Sequence, residues 1–318
     1  MYYPNIRWKQ GEIRALENAP GDWADKICPI WIVENPQEGL VDAALGIVSL
    51  WSGEQILDMS RADIEEIEDD LYIAALSTQI PFCIAPLSLP HMSVALRDVF
   101  KNHPCFRIAI SSSLEEALDL NVHQENLKHI IQFIDNSELK VILDFGTVGE
   151  RYVAEANRLA KIVDVYISSG VKTLIVSGGS FPKTLQEVQG VEHIIRYEKR
   201  LYNGLSEKIP HPINYSDYAT LSPDWSQSEI MRSKHINIRY THDDYWVVLR
   251  QLGKDKAAIY ELTKLLVLQN EFRGEDFSWA DKVWAQRAEE PPLVGPGNST
   301  FHVSEFIHHH IAQVIIFG

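Results

Sequence analysis

The residues of this chain that could do chemistry gather at the ends of short apolar runs. Arg7 and Lys9 close "YYPNIRWK", Asp144 ends "KVILD", and Ser177 and Ser180 frame two glycines in "VSGGS". Asp217 and Tyr218 lie in "INYSDYA", Arg239 in "NIRYT", and His308, His309 and His310 in "FIHHHIA" close to residue 318. Two cations two positions apart share a face if the strand continues, and such a pair suits a carboxylate or a phosphate. The plainer alternative pairs Arg7 with an internal acid and leaves Lys9 solvated. Asp144, behind a strongly apolar stretch, must be paired, hydrated or coordinated, because an isolated buried charge is very costly. Arg7 or Arg239 is the economical partner, with general acid/base or Mg²⁺-ligand roles left open.

"VSGGS" could cradle a phosphate through freed backbone and two hydroxyls, although Gly-Gly also simply makes a tight turn. It is neither a Walker loop nor a GxGxxG fingerprint. The histidine run reads differently in the two regular structures. As a strand, His308 and His310 point one way and His309 the other. As a helix, His302, Glu305 and His309 share a face. That spacing is not HExxH, and CxxC is absent, so no metal is expected. A histidine bonded to a carboxylate at a barrel mouth is the preferred reading, in the region of Asp217 and Arg239. Candidate acid/base groups are therefore Asp144, Asp217 and His309. Candidate ligand contacts are Arg7, Lys9, Ser177, Ser180, Tyr218, Arg239, His308 and His310. No particular cofactor is specified.

These groups need a frame to bring them together. Strand-length runs occur at 2–8, 29–35, 54–60, 81–87, 106–113, 140–146, 172–179 and 212–219. Several are apolar almost throughout, as parallel strands buried on both faces are. Between them lie helix patterns at 60–79 (capped by Ser60), 113–120 (a capping box from Ser113 to Glu116), 149–170, and a long one at 181–208 interrupted by Gly190. Eight strands with helical crossovers predict a (β/α)8 TIM-like barrel, in which chemistry sits at the C-terminal strand ends. An open doubly wound sheet has the same alternation, but no Gly-rich nucleotide loop follows the first strand. Past residue 220 the pattern changes to a hairpin turning at His242-Asp243-Asp244, then helices from Asp255 and from Ser278. The expected organisation is a barrel over 1–220 and an α+β extension over 221–318 packed on it as one unit.

Bulk properties bound the class. The 318 residues are 45% hydrophobic and 23% charged, enough apolar material for a full core. With 29 basic against 44 acidic residues the formal charge is −15, which disfavours nucleic-acid binding. Three widely spaced cysteines, Cys28, Cys83 and Cys105, read as buried thiols of a reduced cytoplasmic protein. The opening residues lack the apolar core of a signal peptide, and no run reaches membrane-spanning length.

Several stretches, taken in order, resemble the phage beta-protein family ("beta family protein"). "YYPNIRWKQGE" matches its Y-x-P-x-x-[RK]-x-K-x-x-E opening, Ser216-Asp217-Tyr218 its S/G-D-Y motif, and "IRYT" with "DDYWVVLR" a later strand pair. "GNSTFHVSEFIHHHIAQVI" loosely matches a closing G…W-R…N-H-H block. Here Phe301-His302 stands where the family pattern has Trp-Arg, and Ile307 stands where it has the asparagine. The resemblance implies one unit over the whole chain, an association with phage defence or counter-defence, and signature positions at Arg7, Lys9, Glu12, Asp217, Tyr218, Arg239 and the histidines. Two functions follow as expectations. One is an enzyme or sensor for a small anionic, phosphate- or nucleotide-like ligand. The other is a non-catalytic acidic partner that masks a basic protein such as a nuclease.

Overall fold

A computed structural model describes residues 1–110, 113–132, 138–224, 235–252 and 257–318. Ser111 and Ser112 of the expected fifth strand, and Asp255 and Lys256 of the helix expected after the hairpin, lie outside these residues.

The strands are β1 (Asn5–Arg7), β2 (Ile30–Ile32), β3 (Ile56–Asp58), β4 (Phe82–Ile84), β5 (Cys105–Ala109), β6 (Lys140–Thr147), β7 (Thr173–Gly179), β8 (Gly190–Ile195), β9 (Asn214–Asp217), β10 (His235–Thr241) and β11 (Tyr245–Leu252). Eight of them form one parallel sheet in the order β1-β2-β3-β4-β5-β6-β7-β9. The sheet closes on itself, because Tyr3 N donates to Tyr215 O at 2.9 Å and Tyr2 bridges Tyr215. This is the predicted (β/α)8 TIM-like barrel. Every residue of β2, β3 and β4 is buried, which is why their sequences are almost wholly apolar.

Helices follow the strands: α1 (Gln10–Glu17), α2 (Leu40–Leu50), α3 (Ile64–Thr78), α4 (Val94–Phe100), α5 (Leu114–Ala117), α6 (Leu120–Ile131), α7 (Glu150–Ala154), α8 (Ala156–Ser168) and α9 (Tyr197–Ser206), with α10 (Ala258–Val267), α11 (Trp279–Ala288) and α12 (Ser299–Phe317) after the hairpin. Ser113 caps α5 as expected, its Oγ accepting from Glu116 N at 3.2 Å. The cap of α3 is Asp63, not Ser60: Asp63 Oδ1 accepts from Glu65 N, while Ser60 N donates to Asp58. The helix expected over 149–170 is two helices, because Glu155 takes a turn conformation (φ −93, ψ 11) between them.

The long helix expected over 181–208 is corrected more deeply. Gly190 has φ +69, a backbone position open chiefly to glycine, and after it Val191–Ile195 extend as β8. This run pairs antiparallel with β11, Ile194 opposite Trp246 and Glu192 opposite Val248. Its branched residues suit a strand, and the register shows what helical periodicity could not: a waiting partner edge. Only α9 remains helical.

The chain divides into two compact units, one of residues 1–8, 24–180 and 197–218, the other of 9–23, 181–196 and 219–318. The first is the barrel. In the second, the sheet β10-β11-β8 and helices α10 to α12 bury Ile238, Tyr240, Val247, Leu249, Leu262 and Trp284. Each such side chain removed from water contributes about 2 kcal/mol before entropy is counted. Helix α12, capped by Asn298 Oδ1 on Phe301 N, settles the terminal run as helical. Gly11 of α1 lets it approach closely: a Cβ there would lie 2.9 Å from Val303.

Candidate functional site

Side chains two apart on a strand share a face, and the barrel interior is built on that rule. Its lower layer is apolar: Tyr3, Ile30, Ile56, Cys83, Cys105, Ile142 and Ile175 cluster with Cys28. Two residues further along the same strands stand Asn5, Asp58, Arg107, Asp144 and Ser177, so the next layer toward the C-terminal ends is polar and charged. Arg107, only 2% exposed, is its hub. Its Nε lies 2.9 Å from Asp58 Oδ2, close but off the line of a good hydrogen bond. Its NH1 donates to Asp144 Oδ2 at 2.8 Å, and its NH2 to Asn5 Oδ1 at 2.6 Å. Burial works against a charge at Arg107, yet Asp58, Tyr218 and Asp144 outweigh it and hold the guanidinium protonated well above its ordinary range. The sequence expectation that Arg7 or Arg239 pairs Asp144 is corrected, because Arg107 of β5 does so.

The remaining polar groups of this layer are filled in turn. Tyr218 donates its hydroxyl to Asp144 Oδ2 at 2.5 Å; burial first, then the Asp144 charge, raises its pKa far above the usual phenol range. Asp144 Oδ1 accepts from Gly146 N. Asn5 Nδ2 reaches Ser177 Oγ and Ser216 Oγ, both at 3.0 Å, and Asp217 O at 2.9 Å. Asp217 accepts from Tyr2 at 2.6 Å and from Tyr215 at 2.7 Å, and those two rings stack across the seam that closes the barrel. The structure therefore brings Asp144 together with Tyr218, and ties Asp217 to the closing strand pair. Ser177 is buried within this network. Gly178 beside it serves packing: an added Cβ would lie 2.7 Å from Val148.

Ser180 stands just beyond β7. Its hydroxyl donates to buried Glu198 at 2.5 Å and accepts from Tyr197 N at 3.0 Å. Both contacts pin the two ends of the excursion over 181–196. Lys199 Nζ lies 4.8 Å from the Tyr215 ring centroid and 5.3 Å from that of Tyr202. At the end of β1, Arg7 is 3.7 Å from Glu34, with side chains 20% and 18% exposed. Strand β1 stops at Arg7, and Lys9 is the N-cap residue of α1. The condition for the two cations to share a strand face is not met.

The second unit holds the other candidates. Arg239 donates to Thr220 O at 2.6 Å and to Asn237 Oδ1 at 3.2 Å, with its guanidinium over Phe181. His309, fully buried, meets Thr241 O through Nε2 at 2.9 Å and Asp281 Oδ2 through Nδ1 at 2.8 Å. Asp281 also accepts from Tyr240 and Ser278. His310 Nδ1 lies 3.0 Å from Thr241 Oγ1. His308 donates through Nε2 to Asn18 O, packed between Trp23 and Trp279; burial lowers its pKa to about 4. His302 joins Glu305, whose other partners are Arg287 and Trp284. Among the described residues no group of three or more His, Cys, Asp or Glu could hold a metal.

Sequence reasoning missed Arg107, Asn5, Tyr2, Tyr215, Glu198 and Asp281 as parts of these networks. Arg107 left a usable signal, an arginine inside "CFRIA", where a buried charge demands a partner. Asp281 left none, since an acid in the first turn of a helix is ordinary.

Fold and interior together define a β/α barrel protein whose chain also forms a second, α+β unit. Residues 2–316 match the family profile described as Beta protein, so the chain belongs to the Beta protein family. No curated protein matches it. Among solved structures it is similar to the arginine decarboxylase of Paramecium bursaria Chlorella virus, alone and bound to agmatine, at 14% and 13% identity and a TM-score of 0.42 for each. The match covers 68% of this chain but only 57% and 56% of those chains. Likeness at that level carries neither fold nor activity across. No helix of the described residues is long and apolar enough to cross a membrane.

Proposed function

We propose that this barrel binds a small anionic ligand, phosphate- or nucleotide-like, at the C-terminal ends of its strands. The observation that carries the reading is a contrast between charges. The strand-end carboxylates Asp144 and Asp217 are filled by internal donors, whereas Arg7, one layer further out on β1, has a side chain still 20% exposed beside Glu34 at 3.7 Å. A guanidinium so placed suits a phosphate, and barrels bind ligands at this end. Asp58, Asp144 and Asp217 then serve as frame, with Arg107 and three tyrosines holding them. The role proposed for the protein is in phage defence or counter-defence, as the resemblance read from the sequence implies, with the ligand as signal or substrate.

The test is a melting-shift panel of inorganic phosphate, nucleotides and sugar phosphates on wild type and Arg7→Ala. A ligand at a hundred times its Kd stabilises by about 2.7 kcal/mol, a readily measured shift. The reading expects a shift in wild type that Arg7→Ala loses, and fails if no compound shifts either protein. Phage plating on cells carrying each version then connects the ligand to biology.

A second reading is favoured by the formal charge of −15: a non-catalytic partner whose acidic surface engages a basic protein.

A further inference from the structure

Two neighbouring outer helices of the barrel carry the same pattern on their exposed faces. On α3, Glu66, Asp69, Ile73 and Leu76 follow one another at spacings of three and four, so they form one stripe, and all four are exposed. On α2, which packs against α3, Asp42, Leu45 and Val48 do the same. Each stripe is acidic in its first half and apolar in its second. Leu45, Val48, Ile73 and Leu76 are 47%, 39%, 48% and 54% exposed. Asp42 and Glu66 sit in first turns, where the helix dipole welcomes acids, so acidity alone needs no partner. Single exposed apolar residues are equally ordinary. Four large ones aligned on two packed helices are not, since contiguous apolar patches mark contact surfaces.

The apolar end also has depth. Val48, Thr78 and Ile80 line one cavity of about 320 Å³. Leu76, Ile80 and Val99 line a second, also of about 320 Å³. Gln79 and His103 are common to both, so the two depressions adjoin. Glu54 and Lys140, on the wall of the first, form an ion pair at 3.6 Å, which leaves little net charge there.

We propose that the outer face of α2 and α3 docks an amphipathic helix of a basic protein partner. Its apolar residues would lie on Leu45, Val48, Ile73 and Leu76, and its Lys or Arg end against Asp42, Glu66 and Asp69. The occupant follows from charge complementarity: an apolar strip ending in acids on a strongly acidic protein repels a second copy of itself and attracts a cationic helix. This rests on the acidic-partner reading above and names the surface it would use.

The probe is a synthetic Leu/Lys peptide with its leucines on one helical face and its lysines grouped at one end, followed by fluorescence anisotropy on the full chain. Controls are the same composition in scrambled order and an acidic version with Glu for Lys. The proposal expects Ile73→Ser/Leu76→Ser to weaken binding at least about tenfold. Glu66→Lys/Asp69→Lys should weaken it more than Glu115→Lys/Asp164→Lys, which changes net charge equally on other helices. Because all these sites are exposed, the variants should fold, and far-UV circular dichroism checks that they do. Equal binding of ordered and scrambled peptide by every protein would overturn the docking face while leaving the acidic-partner reading standing. Binding of no peptide would sink both. A wild-type dimer that Ile73→Ser/Leu76→Ser converts to monomer would overturn the proposal by making the occupant a second copy.

Discussion

Replacing Arg107 with methionine should be among the most damaging single changes in the barrel. The side chain is 2% exposed and reaches Asp58, Asp144 and Asn5 at 2.9, 2.8 and 2.6 Å. Methionine fills much of the volume but supplies no donor, so two carboxylates stay buried without their cation. Removing one member of a buried ion pair costs about 3–5 kcal/mol, mostly from the stranded partner. Because Asp144 keeps the Tyr218 hydroxyl and Gly146 N, while Asp58 keeps Ser60 N, the loss should sit inside that range and not above it. Urea unfolding followed by tryptophan fluorescence gives the number, provided the slope of the transition is unchanged. Adding Asp144→Asn removes one stranded charge and should restore at least ~1 kcal/mol, a coupling that a double-mutant cycle isolates. A loss below ~1 kcal/mol for Arg107→Met, or strict additivity with Asp144→Asn, would refute the view of Arg107 as the hub of a polar layer.

Tyr2→Phe and Tyr215→Phe each take one hydroxyl from the Asp217 carboxylate, and each should cost about 1.5–3 kcal/mol in the same unfolding assay, with the double variant losing more than the sum. His308 gives a pH signature: its folded pKa lies near 4, below the ordinary 6.5, so the unfolded chain binds a proton that the folded one refuses. Stability from this group should therefore fall as pH drops below 6.5, by roughly 2 kcal/mol at pH 5, and His308→Phe should flatten that part of the curve. Gly178→Ala drives a Cβ to within 2.7 Å of Val148 and should cost about 1–3 kcal/mol, which Val148→Ala recovers.

All eight barrel strands were legible in the sequence, most plainly β2, β3 and β4, whose residues are buried and almost wholly apolar. β8 was not: "GVEHII" fits a helical stripe as well as a strand, and only the register with β11 decides. The assembly of 9–23 and 181–196 with the C-terminal segment depends on contacts distant in sequence, which no local pattern encodes. Within the polar layer, Asp144, Asp217 and Tyr218 were marked by their places at strand ends. Asn5 and Tyr215 were invisible as members, since asparagine and tyrosine in a strand carry no penalty that demands explanation. The terminal histidines were expected on a carboxylate in the region of Asp217 and Arg239, but other groups hold them, and the carboxylate that meets His309 is Asp281. Those partners, Asn18, Asp281 and Thr241, come from three separate segments that sequence spacing could not bring together.

The central claim is that the strand C-terminal ends take an anionic ligand through Arg7. A crystal structure of the protein with the phosphate compound giving the largest melting shift tests it most directly. The account predicts the anion within hydrogen-bonding distance of the Arg7 guanidinium, and no bound anion in Arg7→Ala crystals treated alike. An anion bound away from the strand ends, or one retained unchanged in Arg7→Ala, would contradict it.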